Sequence, residues 1–181
     1  MSNPDAICSQ LGGSVGHLSF EIAKKHPRIS CIVQDYAALE PQFHKLCPKE
    51  VVDRVSFRAH DIFTLQPIKH ADVYLFRFVF HDWPDAYCVQ LLKAVIPVMK
   101  PTSKILIVDG IVDQWQDVRY KAADRLVTAL DLQVWAMMNA KERTQQDWEE
   151  LLRSASPKLS AKAFRKPEGS AAGFIEVCLV E

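Results

Sequence analysis

Between Ala6 and Asp35 the chain passes through a short apolar segment, a glycine-rich turn, an amphipathic stretch and a second apolar segment. Few folds accept that succession. Ala6 to Leu11 reads as a strand, and Gly12-Gly13-Ser14-Val15-Gly16 as a tight turn. From His17 to His26, Leu18, Ile22 and Ala23 recur at helical spacing, and Pro27 follows the end. Ile29 to Gln34 is a short, β-branched run that ends at Asp35. Strand, turn, helix, strand and acidic residue within about 30 residues make a βαβ unit of the nucleotide-binding kind. Glycines let the backbone turn sharply and approach a ligand closely. The helix start offers unpaired N–H groups, and an acid after the second strand can accept from both hydroxyls of a ribose. Gly13 and Gly16 have the last spacing of a G-x-G-x-x-G fingerprint, but its first glycine would fall on Leu11. That disfavours a pyrophosphate ligand and favours one with a single ribose. A tight turn with no ligand stays open.

The pattern repeats downstream. Leu39 to Val52 reads as partly helical and is interrupted by Pro48. Val55 to Ala59 is a third strand, followed by Asp61, whose ordinary role after a strand is a loop or cap carboxylate. Val73 to Phe80 is a fourth strand. Pro84 to Lys100 is a helix with Tyr87, Leu91, Leu92, Val95 and Met99 on one face. Ile105 to Val108 is a fifth strand, ending at Asp109-Gly110. Arg119 to Met138 is a long helix with Leu126, Leu130, Val134 and Met137 in phase, and Thr144 is the N-cap of a shorter one. Ala161 to Arg165 and Gly173 to Val180 form a closing strand pair. The expected fold is therefore α/β: a Rossmann-like, doubly wound, mainly parallel seven-stranded sheet. Helices cover both faces, and the C-terminal strand pair is antiparallel.

His81-Asp82 sits where the fourth strand ends and a helix begins, at the sheet end where open α/β folds bind ligands. A histidine there can act as a general base near neutral pH; on spacing alone, a helix-start residue with Asp82 as cap is an equal alternative. Lys plus Arg and Asp plus Glu number 22 each, which gives no footprint for nucleic acid or an anionic membrane. No apolar run reaches ~18 residues, and Met1 to Gln10 lacks the plan of a signal peptide. The five cysteines are scattered without CxxC spacing. No zinc site or disulfide framework is expected of them, and Cys31 and Cys178, inside apolar strand-like runs, are expected to be buried, reduced thiols of a cytoplasmic protein.

Phe80-His81-Asp82-Trp83-Pro84-Asp85, Asp131-Leu132-Gln133 and Asn139-Ala140-Lys141-Glu142-Arg143-Thr144 carry a further signal. With them the chain resembles the S-adenosylmethionine-dependent O-methyltransferases of plant and fungal secondary metabolism, most of all the fungal polyketide branch. The resemblance implies transfer of a methyl group from S-adenosyl-L-methionine to a hydroxyl of an aromatic or polyketide-like small molecule. It implies a cofactor site from Gly12, Gly13, Gly16, Asp35, Asp61, Ile62 and Arg77. It implies His81 as the general base, with Asp109 and Glu142 flanking and orienting it. Trp135, Met137 and Met138 fall in the helix that helps line the acceptor pocket; on periodicity alone they are as much core as pocket. A sulfonium donor is already activated, so no metal is expected. A phenol of pKa near ~10 is mostly neutral at pH 7, so a positioned imidazole supplies what is missing.

Two departures stand beside the resemblance. Members of the family usually carry a helical N-terminal domain that pairs two subunits, and here eleven residues precede Gly12. The expectation is a single catalytic domain over residues 1–181, with any homodimer lacking its usual dimerisation domain. The family also usually has an acidic residue two positions before the first glycine, where this sequence has Gln10. The alternative is a truncated or degenerate copy that binds S-adenosylmethionine or S-adenosylhomocysteine without efficient turnover, or needs a partner to complete its pocket.

Overall fold

The computed structural model describes residues 6–112 and 121–180. The fold is mixed α/β, with a mostly parallel sheet of seven strands and an antiparallel C-terminal pair. The described residues form two compact units, one from 6–76 with 94–105, the other from 77–93 with 106–112 and 121–180.

The first unit holds β1 (Ala6–Leu11), α1 (His17–Lys25), β2 (Ile29–Asp35), α2 (Glu40–Leu46), β3 (Val55–Ala59) and most of β4 (Val73–Arg77). β1 pairs in parallel with both β2 and β4, and β2 with β3. Leu11 lies opposite Gln34 in one register and Phe76 in the other. The carboxyl ends of three strands therefore finish level, and the turn after β1 emerges beside Asp35. Leu11, Val33, Phe20, Ala23, Phe43 and Tyr74 are buried in this unit. Phe43 meets Phe20 and Phe57 at 5.4 Å between ring centroids. Each such side chain removed from water contributes about 1.5–3 kcal/mol.

The second unit holds α3 (Asp85–Val95), β5 (Lys104–Val112), α4 (Lys121–Met138), the two-residue β6 (Arg143–Thr144), α5 (Gln145–Ala155), β7 (Leu159–Arg165) and β8 (Ala172–Leu179), although β5 begins and α3 ends in residues of the first. β6 pairs in parallel with β5, setting Arg143 opposite Ile111. β7 and β8 pair antiparallel with a register shift between Ala161 and Ala163. Thr144 opens α5 with a capping box: its hydroxyl accepts from Asp147 N–H, and the Asp147 carboxylate accepts from Thr144 N–H. Trp148, Leu151 and Leu152 then face inward and are buried.

Several expected boundaries move. β4 stops at Arg77, not Phe80, because Phe78 takes a positive φ of 51° and residues 80–82 form a 3-10 turn. The helix after Pro84 ends at Val95, and residues 96–98 are 3-10. Pro97 lacks the N–H that would continue the α-helical ladder. β5 continues through Asp109-Gly110 to Val112. On α3, Tyr87 is exposed and Cys88 takes the buried position. Among the described residues of α4, Val127 and Val134 are buried, while Leu126 and Met137 are exposed. All five thiols are free; Cys8, Cys31 and Cys88 are buried, but Cys47 and Cys178 are only partly so. Arg119 and Tyr120, expected at the start of α4, lie outside the described residues. No described helix is long and apolar enough to cross a membrane.

Candidate active site

In the first unit the turn after β1 is built on backbone geometry. Gly12 and Gly16 have φ of 64° and 88°, where a side chain is strained. Gly13 is fixed by contact instead: a Cβ there would lie 2.8 Å from Val33 Cγ1. Gly13 N–H donates to Gln34 O at 3.1 Å, and Gly16 N–H to Gly13 O at 3.0 Å. The Asp35 carboxylate locks the turn from outside. Its Oδ2 accepts from Ser14 N–H at 2.7 Å and its Oδ1 from Tyr36 N–H at 2.8 Å. A carboxylate has about four lone-pair sites, so each oxygen keeps one for a ligand. Gln10 is buried beneath and accepts from the Ser19 hydroxyl at 2.6 Å.

Asp61 follows β3. Its Oδ1 accepts from Phe63 N–H at 3.0 Å, an Asx turn that holds the loop carrying half-buried Ile62. The residues that fit a nucleoside are thus Gly12, Gly13 and Gly16 for close approach, Asp35 with two free lone pairs, and Asp61-Ile62 in an ordered loop. On the cofactor reading that the sequence resemblance implies, Asp35→Ala is expected to lower S-adenosylhomocysteine affinity about tenfold or more, since a hydrogen bond to a charged group contributes ~1.5–3 kcal/mol. Calorimetric titration reads it.

The second unit carries the histidine. His81 lies in the 3-10 turn of residues 80–82, its side chain 16% exposed. The turn is held by Asp109 on β5, whose Oδ2 accepts from Phe80 N–H at 3.1 Å and His81 N–H at 3.4 Å. His81 Nδ1 is 3.0 Å from Glu142 Oε1 and 3.8 Å from Asp109 Oδ1. His81 Nε2 is 3.4 Å from Asp82 Oδ1. Glu142 is itself set by Asp131 on α4, whose Oδ1 accepts from Glu142 N–H at 2.8 Å. α4 stops just before this point because Asn139 takes a φ of 53° and donates its N–H to Trp135 O. The Phe78 ring lies 5.6 Å from the imidazole, and the Arg77 guanidinium 4.5 Å from the Phe78 centroid.

The electrostatics follow from burial against charge. Burial opposes charging of His81, but the Glu142 hydrogen bond and the charges of Asp109, Glu142 and Asp82 outweigh it and raise its pKa above 6.5. Burial and the Glu142 charge push Asp109 up to about 6, against the pull of His81 and two backbone N–H groups. Burial also raises Asp82, again opposed by His81. Protonating His81 therefore favours the fold. That contribution is complete below 6.5 and is lost as pH rises through the raised value. The raised Asp109 adds in the same direction, present below 3.8 and lost as pH rises through about 6. The donor atoms of His81, Asp109 and Glu142 also lie within 4.8 Å of one another, a set that could face a cation. In the present arrangement Nδ1 is taken by Glu142.

Two contributors were invisible in the sequence. Gly110 carries no Cβ where one would sit 2.0 Å from Glu142 Oε2. Arg143, whose side chain is 1% exposed, reaches the carbonyls of the His81 turn. The expected pocket residues divide. Met138 lines a cavity of about 590 Å³ with Asp82, Trp83, Pro84, Tyr87 and Asn139, whereas Trp135 is 66% exposed on α4, so neither is core.

Known proteins with this pattern decide the kinship. A family model described as an O-methyltransferase domain matches residues 5–156. The chain belongs to the O-methyltransferase domain family. Among its relatives, the grayanic acid biosynthesis cluster O-methyltransferase of Cladonia grayi is 40% identical over 168 residues, 92% of this chain and 37% of that protein. The O-methyltransferase xanE of Aspergillus fumigatus is 41% identical over 162 residues, 88% of this chain and 37% of that protein. The chain thus spans well under half the length of these relatives. Among solved structures, OxaC in complex with S-adenosylhomocysteine and oxaline has a TM-score of 0.83 at 26% identity, covering 99% of this chain and 44% of that one. A structure described as a pericyclic reaction enzyme has a TM-score of 0.85 at 25% identity over the same shares.

Proposed function

We propose that this chain is the catalytic domain of an S-adenosylmethionine-dependent O-methyltransferase that methylates a hydroxyl of an aromatic or polyketide-like small molecule, with His81 as general base. The observation that carries the reading is the 3.0 Å contact between His81 Nδ1 and Glu142, beside buried Asp109. It fixes the tautomer with the proton on Nδ1, so Nε2 is the atom that accepts a proton. Gly12, Gly13, Gly16, Asp35, Asp61, Ile62 and Arg77 are the cofactor residues of this reading; Met138 and Trp135 belong to its acceptor side. When bound, S-adenosylmethionine supplies a methyl group already activated by its sulfonium. His81 takes the hydroxyl proton as the oxygen becomes nucleophilic, and Glu142 and Asp109 stabilise the resulting imidazolium. The family membership and the S-adenosylhomocysteine complex of OxaC support the choice of cofactor.

The test is methyl transfer from labelled S-adenosylmethionine to a panel of phenols by the full chain, beside calorimetry with S-adenosylhomocysteine. Methylated product supports the proposal; binding with no product on any phenol sinks the enzymatic half, and no binding sinks both. A base must be neutral to act, so kcat/KM is expected to rise with pH along a limb centred above 6.5. In Glu142→Gln that limb should move to lower pH, because the main group raising the imidazole pKa is gone.

A second reading has its own support: Gln10 stands where an acidic residue is usual, and one structural neighbour is a pericyclic enzyme. In it the chain holds the cofactor for a purpose other than methyl transfer.

A further inference from the structure

The His81 turn is gripped from two sides. Asp109 takes its donors, the N–H groups of Phe80 and His81. Arg143 takes its acceptors: Nη1 donates to Phe80 O at 2.9 Å, and Nη2 to Trp83 O at 3.0 Å. The remaining donors are used nearby. Nε and Nη2 reach Asp85 Oδ1 at 3.0 and 2.7 Å, Nη1 reaches Lys141 O at 3.3 Å, and Nη2 reaches Cys88 Sγ at 3.3 Å. The guanidinium lies 5.3 Å from the Trp148 ring. Five N–H donors in one plane are all satisfied, which is what a buried charge requires. A buried ion pair is weak evidence for stability as such, so the placement of these bonds matters more than their number. Two of them fall on the carbonyls that flank His81-Asp82. Arg143 also directly follows Glu142, the residue on His81 Nδ1. One short segment thus carries both the carboxylate that orients the ring and the cation that fixes the turn bearing it.

We propose that Arg143 is a positioning residue for His81, holding the turn of residues 80–83 so that the imidazole stays on Glu142. The inference rests on the general-base reading of His81 for its effect on turnover, but not for its effect on the ring. Lysine keeps the charge but has three donors on one nitrogen instead of a planar fork, so it cannot span the Phe80 and Trp83 carbonyls in the same geometry. In Arg143→Lys the imidazole is expected to titrate closer to its ordinary value, because its bond to Glu142 is no longer enforced.

The experiment is NMR titration of His81 in the full chain, with histidine labelled at Cε1 and the signal assigned by His81→Gln. Melting, S-adenosylhomocysteine calorimetry and methyl-transfer kinetics run on the same samples. Arg143→Lys should fold, bind S-adenosylhomocysteine within about twofold, and shift the His81 titration to lower pH. Its kcat should fall about tenfold to a hundredfold, the scale of a 1 Å misplacement of a reacting group, with KM little changed. Guanidinium ion added to Arg143→Ala should recover part of kcat and of the titration shift. A folded Arg143→Lys whose His81 titrates as in wild type overturns the proposal. Should Arg143→Lys not fold, Asp85→Asn decides, since Asp85 is exposed and anchors the same guanidinium. A smaller shift in the same direction supports positioning, and no shift refutes it. If the titration moves but wild-type turnover proves independent of His81, positioning stands and the general-base reading fails.

Discussion

Replacing His81 with alanine is expected to cut methyl transfer by about 10²–10⁴-fold, the usual contribution of a positioned general base, while S-adenosylhomocysteine binding stays within about twofold. The split follows from where the groups sit. The glycine turn, Asp35 and Asp61 belong to the first unit, whereas His81, Asp109 and Glu142 all belong to the second. The turn of Gly12–Gly16 is held within the first unit, by Gln34, Gly13 and Asp35. The measurement is initial rate against substrate and calorimetry on one preparation. Equal loss of binding and turnover would show that the side chain supports the fold; undiminished turnover would remove it from the chemistry.

His81→Ala also leaves Asp109 and Glu142 as two buried carboxylates without their cationic partner. Burial and mutual repulsion already push Asp109 up to about 6 in the intact cluster. Without the imidazole Asp109 should stay protonated to higher pH still. The stability that wild type loses through His81 above 6.5 is therefore absent from the variant, whose pH dependence near neutrality is set instead by Asp109. His81→Gln keeps a polar group beside Glu142 and separates this electrostatic penalty from loss of the base.

The parts of this site legible in sequence are those that local chemistry marks. A histidine after an apolar strand, an acid after another and glycines in a turn each announce a purpose from a few residues. Glu142 needed the kinship of its segment, since by itself it reads as a surface charge, and its contact with His81 spans 61 positions. Arg143 has no local mark either: it stands among Lys141, Glu142 and Asp147, and only the fold brings the Phe80 and Trp83 carbonyls to it. The sequence does not mark the end of β4, because the apolar run continues through Phe80, which is buried in a turn and not in a strand. β5 was cut short because Asp-Gly ordinarily breaks a strand. Here the Asp109 carboxylate is satisfied by backbone N–H groups 28 and 29 positions away. On α4 the apolar residues cover more than one face, so periodicity could not choose between Val127 and Leu126.

Gly110→Ala is expected to disable the site from a position that touches no substrate. The backbone does not require glycine there, because only Gly12, Gly16 and Gly169 have positive φ among the described glycines. In a strand interior, alanine would ordinarily stabilise by about 0.4–1 kcal/mol through the unfolded chain. Space decides otherwise. The new Cβ would fall 2.0 Å from Glu142 Oε2 and 2.7 Å from its Cδ, against ordinary contacts of 3.4 Å or more. The Glu142 side chain is 2% exposed, so it cannot yield toward water without leaving His81. Overpacking of this kind typically costs about 1–3 kcal/mol, and a shift of the carboxylate by 1 Å or more should lower kcat about a hundredfold. The His81 titration should move to lower pH with it. The decisive measurement is a double-mutant cycle with Glu142→Ala, in which melting temperature and kcat are read for all four proteins. If the clash acts through Glu142, Gly110→Ala destabilises the parent but is neutral or stabilising once Glu142 is alanine. A penalty that persists in that background would place the demand for glycine in the strand itself, and Gly110 would have no part in setting the carboxylate on the histidine.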